Sequence, residues 1–271
     1  MSIYLDLTRQ FNGGGLRAIL SSGQAVVLHR LAIMSKDGDW ILREEAQATQ
    51  HVLQVLEGRG ARYRFGAPLD VRWMSGGWSA HLEFAHAQLR IRTDFVTRPP
   101  RLAGGDLEAL WRASEGEDAP YVDLRRLAEL KKTNREKDYA VIGELARRMP
   151  EPRDQLLYSR SARDLLALAQ RFPALVGELL PTRSVLARVK DGQDALEAAL
   201  DAERRTLIHR NEARLKAYLE AAKAWHQAWP EVERGTAGMP LTQAHAIIVQ
   251  RAEDLLPRHP AAEGTDGRDQ G

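Results

Sequence analysis

The chain of 271 residues contains no cysteine, which excludes disulfides, thiolate metal sites and a thiol nucleophile, and fits a reducing cytoplasm. Its length suits one large or two ordinary domains and is enough to bury a core without staples. A formal net charge of +2 is too small to argue for nucleic acid, although 28% of the residues are charged and local basic patches remain open. The apolar stretches fall far short of the roughly 20 residues that cross a bilayer. The first residues, Met1 to Arg9, lack the charged-then-apolar layout of a signal peptide. The expected location is cytoplasmic, with no membrane partner.

Residues 1–16 read as a short helix or an irregular lead-in, broken by Asn12-Gly13-Gly14-Gly15. Arg17 to Ser21 suits a first strand. After Gly23, the residues Ala25, Val26, Leu28, His29 and Leu31 read as a helix packed on it. A glycine at such a strand-to-helix corner lets a ligand or a backbone come close, and the amides of a helix start favour phosphate. A plain helix entry with Ser22 near the N-cap is the other reading.

In Ser35-Lys36-Asp37-Gly38-Asp39-Trp40-Ile41-Leu42 two carboxylates stand two positions apart. If Asp37 to Arg43 is extended, period-two alternation sends both to one face. Carboxylates that close repel unless a cation lies between them. Mg²⁺ suits the pair, because it takes one or two carboxylates and leaves room for substrate phosphates. A polar Asp-Gly turn entering a strand is the simpler alternative.

Glu44 to Glu57 has helical spacing, ended by Gly58 and Gly60. Four β-like runs follow: Arg62 to Phe65, Leu69 to Met74, Ser79 to Phe84 and Leu89 to Thr97. Gly76-Gly77 reads as a hairpin turn and Ala85-His86-Ala87 as a tight reversal. In the last run Leu89, Ile91 and Phe95 alternate with Arg90, Arg92 and Asp94, which puts Asp94 on a polar face. Residues 101–120 read as a loop with a weak helical turn around Leu107 to Trp111. Asp123 can cap a helix over Leu124 to Lys132, whose closing lysines suit the helix dipole. Arg135 to Arg148 is a further helix.

After Pro150 the strand signals vanish and Ala, Leu, Arg and Glu dominate. Helices are expected over Ser161 to Arg171, Ala174 to Leu180, about Ala195 to Trp229 and Thr242 to Leu256. The long one carries Leu196, Leu200, Leu207, Leu215 and Leu219 as its stripe and ends at Pro230. The composition predicts domains at 1–150 and 151–257 with a disordered tail at 258–271.

The order of Ser22-Gly23, then Ser35 to Leu42, then Ile91-Arg92-Thr93-Asp94-Phe95-Val96-Thr97, then Val122-Asp123-Leu124 through Lys131-Lys132 and Arg135-Glu136-Lys137-Asp138, resembles the nucleotidyltransferase superfamily. The likeness is to its small prokaryotic members, which include abortive-infection toxins. It implies an α+β fold, a mixed sheet flanked by helices, followed here by an all-helical C-terminal region. It also implies attack of a hydroxyl on the α-phosphorus of a nucleoside triphosphate, with RNA such as tRNA, or a protein, as acceptor. Carried over, Asp37 and Asp39 would hold Mg²⁺. Asp94 would complete a two-metal site and help deprotonate the hydroxyl. Ser22 and the Gly23 amide would contact the terminal phosphates, and Lys131 or Lys132 would reach phosphate as a point charge. The implied partner is a cognate antitoxin or a second copy, engaged through the C-terminal helices. The alternative is a non-catalytic binding or scaffold protein on the same fold.

Overall fold

The computed structural model describes residues 2–260. Five strands form one mixed sheet: β1 (Ala18–Ser21), β2 (Asp37–Leu42), β3 (Arg62–Tyr63), β4 (Ala80–His86) and β5 (Leu89–Val96). Their spatial order is β1-β2-β5-β4-β3, antiparallel throughout except for the β2–β5 pair, which is parallel. Helices surround the sheet, and the C-terminal region is helical, so the α+β class expected from the sequence holds.

Alternation along β2 decides what each face of the sheet carries. Trp40 is fully buried, and its ring stacks on Phe95 at 5.5 Å and meets Phe11 edge-on at 5.2 Å. Phe11 belongs to α1 (Ile3–Phe11), whose Tyr4, Leu7, Thr8 and Phe11 face inward at helical spacing. The indole N–H of Trp40 donates to Thr8 Oγ1 at 2.9 Å, which satisfies the one polar atom this burial would strand. A Cβ on Gly38 would come within 2.5 Å of the Trp40 ring and 2.6 Å of Tyr4. Only a residue without a side chain lets both rings close over the strand there. Asp37 and Asp39 are thereby held on the opposite face.

Several elements differ from the sequence expectation. Leu69 to Met74 is not a strand: Asp70 accepts from the Arg72 amide and starts a short helix, α4 (Val71–Met74). Gly76-Gly77 therefore follows a helix and is no hairpin turn. A Cβ at Gly76 would lie 1.8 Å from the Arg258 carbonyl, so the close approach of the C-terminal segment calls for glycine. The true hairpin joins β4 to β5 through Ala87 and Gln88, with φ of +46° and +65°, the left-handed pair of a type I′ turn. The weak turn near Leu107 is a full helix, α5 (Gly104–Ala113). The helix after β1, α2 (Ser22–Leu28), stops earlier than the apolar spacing suggests. The Arg30 and Leu31 amides fold back onto the Val27 and Val26 carbonyls, with Arg30 left-handed at φ +58°.

The long helix also departs from expectation. It runs as α11 (Gln193–Ala221), and α12 (Lys223–Thr236) then carries Pro230 inside it. A proline there forfeits one backbone bond, but Trp225, Trp229 and Val232 are buried along one side of α12 and hold it. In α11, Leu196 and Leu200 are buried while Leu215 and Leu219 are 45% and 56% exposed. At about 100° per residue, Leu215 and Leu219 stand roughly 100° and 140° around the helix from Leu196, so the leucines leave their starting face.

Backbone contacts group the described residues into two units, and the grouping does not follow a cut near residue 150. One unit holds residues 2–24, 34–121 and 214–260, and the other 25–33 and 122–213. The final helices belong with the sheet. The Trp73 and Trp78 indoles donate to the Leu256 and Pro257 carbonyls at 2.9 Å each, and Tyr63 is bonded to His245 of α13 (Leu241–Leu255). The second unit is all helical around Leu156, Leu165, Leu179, Leu186 and Leu196. Most of the expected tail, from residue 261, lies outside the described residues.

Burial of His245 predicts that the first unit loses stability in acid. Burial holds its imidazole below the ordinary 6.5, with Arg72 adding to the effect and Asp70 opposing it. Tyr63 hydroxyl lies 2.8 Å from Nδ1. The unfolded chain binds the proton that the folded chain refuses, so stability is present above about pH 6.5 and is lost as pH falls below it. Denaturant unfolding between pH 7 and 5 should show that decline, and His245→Gln should flatten it; an unchanged slope would exclude His245 as its source.

Candidate functional site

Strand register assembles a row of side chains across the polar face of the sheet. Ser21 of β1 lies opposite Asp39 of β2, Asp39 opposite Asp94 of β5, and Asp94 opposite His81 of β4. Residues directly opposite share a face, so Asp39 and Asp94 are neighbours and Asp37 is on the same side two positions away. Two carboxylates placed directly opposite destabilise a sheet. The structure answers that repulsion with basic side chains. Asp94 accepts from Arg64 Nη2 at 2.5 Å and from His81 Nδ1 at 2.8 Å. Asp37 lies 3.7 Å from Arg92 Nη1, too far for a hydrogen bond, and its buried Oδ1 has no hydrogen-bond partner.

The strand-to-helix corner adjoins this row. Ser22 immediately follows Ser21 and sits at φ +47°, the left-handed region that a non-glycine residue occupies at a cost. Gly23 comes next, and a Cβ there would lie 2.2 Å from Ser35 Oγ. Its bareness thus seats the side chain at the head of the acidic loop. Gln24 is buried and ties the same loop down, donating from Nε2 to the Ser35 carbonyl at 3.0 Å and the Asp37 carbonyl at 3.2 Å. Tyr4 completes the bracing, since its hydroxyl donates to the Lys36 carbonyl at 2.7 Å. Burial raises the Tyr4 phenol above its usual value, and the negative charges of Asp37 and Asp39 push it further.

Five of the seven residues singled out in the sequence, Ser22, Gly23, Asp37, Asp39 and Asp94, therefore lie along one stretch of the first unit. The other two, Lys131 and Lys132, belong to the second unit and have partners there. Lys131 is buried, 3.4 Å from Asp138, and Lys132 pairs with Glu129 at 2.7 Å. Burial works against the Asp138 carboxylate, but the Thr133 hydroxyl, Lys131 and Arg135 outweigh it and hold its pKa below the usual range. His29, which the sequence counts in the helix after β1, lies just past the end of α2, half-buried and bonded to the Val122 carbonyl at 2.9 Å.

Among the described residues no three His, Cys, Asp or Glu side chains gather as a closed metal cage. A pair is enough for a cation that brings its own phosphates. Asp37 and Asp39 fit that role, because the buried Asp37 Oδ1 lacks any hydrogen-bond donor. Arg64, His81, Arg92, Gln24 and Tyr4 are the site-shaping residues that sequence reading missed. The sum of paired residue numbers along the β4–β5 hairpin would have found His81, had the turn been set at Ala87-Gln88.

No protein-family profile matches the chain, and no curated protein does. A solved structure described as a "putative nucleotidyltransferase from H. pylori" is similar to it, with a TM-score of 0.37 and 13% identity over 77% of this chain and 94% of that one. No described helix is long and apolar enough to cross a membrane.

The strained corner gives a direct test. Ser22→Gly removes the left-handed penalty and should raise stability by up to about 1 kcal/mol, measured by denaturant unfolding. A loss of stability instead would mean that the Ser22 side chain holds the corner.

Proposed function

We propose that the first unit is a Mg²⁺-dependent nucleotidyltransferase acting from a nucleoside triphosphate on a hydroxyl acceptor. The observation that carries this reading is the register that sets Asp39 opposite Asp94, beside the Ser22-Gly23 corner. Asp37 and Asp39 would hold Mg²⁺, and the charge it supplies would offset that of the triphosphate. Ser22 and the Gly23 amide bind the terminal phosphates. Asp94, fixed by Arg64 and His81, accepts the proton of the acceptor hydroxyl as that oxygen bonds to the α-phosphorus. The bond from the α-phosphorus to the β-phosphate breaks, and pyrophosphate leaves with its electron pair. Such a transfer is driven by positioning and charge rather than by covalent catalysis. The acceptor within this proposal is an RNA, such as tRNA, or a protein in a cytoplasmic toxin-like role, with a cognate antitoxin or a second copy meeting the C-terminal helices.

One observation favours a second reading, a non-catalytic binding or scaffold protein. Asp94 Oδ1 already accepts from two cationic or potentially cationic groups, as a retired carboxylate would. One assay separates the two. With α-labelled nucleoside triphosphates, Mg²⁺ and bulk RNA or protein, label should enter an acceptor. Asp39→Ala should lower the rate by about 100-fold or more, equivalent to about 2.7 kcal/mol of barrier. Absence of label together with absence of nucleotide-induced thermal stabilisation would leave the scaffold reading standing.

A further inference from the structure

The second unit contains a groove of about 1000 Å³ that has no part in the chemistry above. It lies among α6 (Leu124–Leu130), the segment from Leu157 to Arg160, a 3₁₀ stretch (Ser184–Asp191) and the first half of α11. Its charge is lopsided. Six of its lining side chains are Lys or Arg, and only Glu129 and Glu203 oppose them.

The imbalance is sharpest where the groove is most buried. The Arg160 and Arg183 side chains are 10% and 5% exposed, and both pair with Glu203, at 2.5 and 2.9 Å. One carboxylate cannot cancel two guanidinium charges, so about one positive charge is left over in a place that water barely reaches. An uncompensated buried charge costs several kcal/mol. Arg183 spends its other donors on the Leu156 and Ser159 carbonyls, at 2.7 and 2.8 Å. Arg160 lies over the Tyr139 ring, and its buried Nε has no acceptor. Burial and the neighbouring Arg183 press the Arg160 pKa downward, yet arginine does not give up its proton in proteins. An anion in the groove would offset that charge.

A purely structural network would look like the one around Asp138, where the second cation, Arg135, is 53% exposed and solvated. Here both guanidiniums are inside, and the rim adds more positive charge. Arg125 lies 3.8 Å from Asp154 and Arg188 3.1 Å from Asp191, both partly solvated, and Arg210 is exposed. Lys132 lies on the same rim, its charge shared between Glu129 and the Tyr158 ring.

We propose that this groove is a phosphate-binding site: Arg160, backed by the leftover charge of the Arg183–Glu203 pair, receives one phosphate at the floor, and the rim cations receive its neighbours. Planar guanidinium forks match phosphate oxygens in pairs. The volume is at the upper end of the range for small-molecule pockets, so more than one phosphate fits. Linked phosphates come from two sources, a nucleic-acid backbone or a free oligophosphate chain. The inference does not rest on catalysis in the other unit.

Binding to the full chain is measured without Mg²⁺ or nucleotide, using a fluorescent mixed-sequence RNA and, separately, inorganic tripolyphosphate. The doubly substituted Arg125→Ala/Arg210→Ala keeps the buried floor and should fold normally by circular dichroism. It is expected to bind the RNA at least 10-fold more weakly, with the salt slope reduced by about 2. Arg153→Ala, outside the groove, should match wild type. Loss of RNA binding with that slope change supports a polynucleotide backbone. Saturable tripolyphosphate binding weakened by the double substitution, with no RNA binding, supports a free oligophosphate. The proposal is overturned if neither probe binds at low salt, if the double substitution changes neither affinity, or if Arg153→Ala weakens binding equally.

Discussion

Everything on the polar face of the sheet depends on the Trp40 ring lying over Gly38. The ring fills the space where a side chain at position 38 would stand, and Tyr4 closes it from above. The contact is worth a large apolar area, since Trp40, Phe95 and Phe11 are all fully buried. Because side chains alternate along a strand, committing Trp40 to α1 commits Asp37 and Asp39 to the other side. A slip of one residue would bury two carboxylates and expose an indole. The core thus sets the direction of the acidic pair as firmly as any hydrogen bond within it.

From that constraint the charge pattern follows. The parallel β2–β5 pair sets Asp39 against Asp94, an arrangement that folding alone disfavours. The neighbouring strands pay part of the cost with Arg64 and His81, while Asp37 keeps one buried oxygen unbonded. A left-handed serine beside the row adds backbone strain at the same place. Electrostatic repulsion, an orphaned acceptor and an unfavourable φ gather where a protein selected for stability alone would avoid all three. The second unit repeats the theme with opposite sign, two buried guanidiniums leaning on Glu203.

How much of this was legible in the sequence depended on range. Local features were: Asp123 caps its helix through the Arg126 amide, and alternation put Asp94 on the polar side of β5. Long-range features were not. A reversal centred on His86 would place Trp78 opposite Asp94, whereas the turn at Ala87-Gln88 places His81 there. Neither Ala nor Gln signals a left-handed turn, so the register had no local marker. Arg64 escaped for the same reason, since its partner is set by two strands at once. The helix dipole accounts for the closing lysines of α6, so nothing local pointed to a partner. Asp138, on the next helix, is what draws Lys131 inward. Pro230 misled in the other direction, as three buried residues outweigh one lost backbone bond.

Gln24 and Gly38 each have a physical role beside the acidic pair. Gln24 holds the acidic loop by two carbonyl contacts, and Gly38 makes room for Trp40. The central claim is that Asp37 and Asp39 form one cation-holding pair. It is tested most directly by titrating Mn²⁺ into the protein with a non-hydrolysable nucleoside triphosphate, following the metal's paramagnetic signal. The account predicts tight nucleotide-dependent Mn²⁺ binding that Asp39→Asn abolishes while the fold persists. Mn²⁺ binding equal in the two proteins would contradict it.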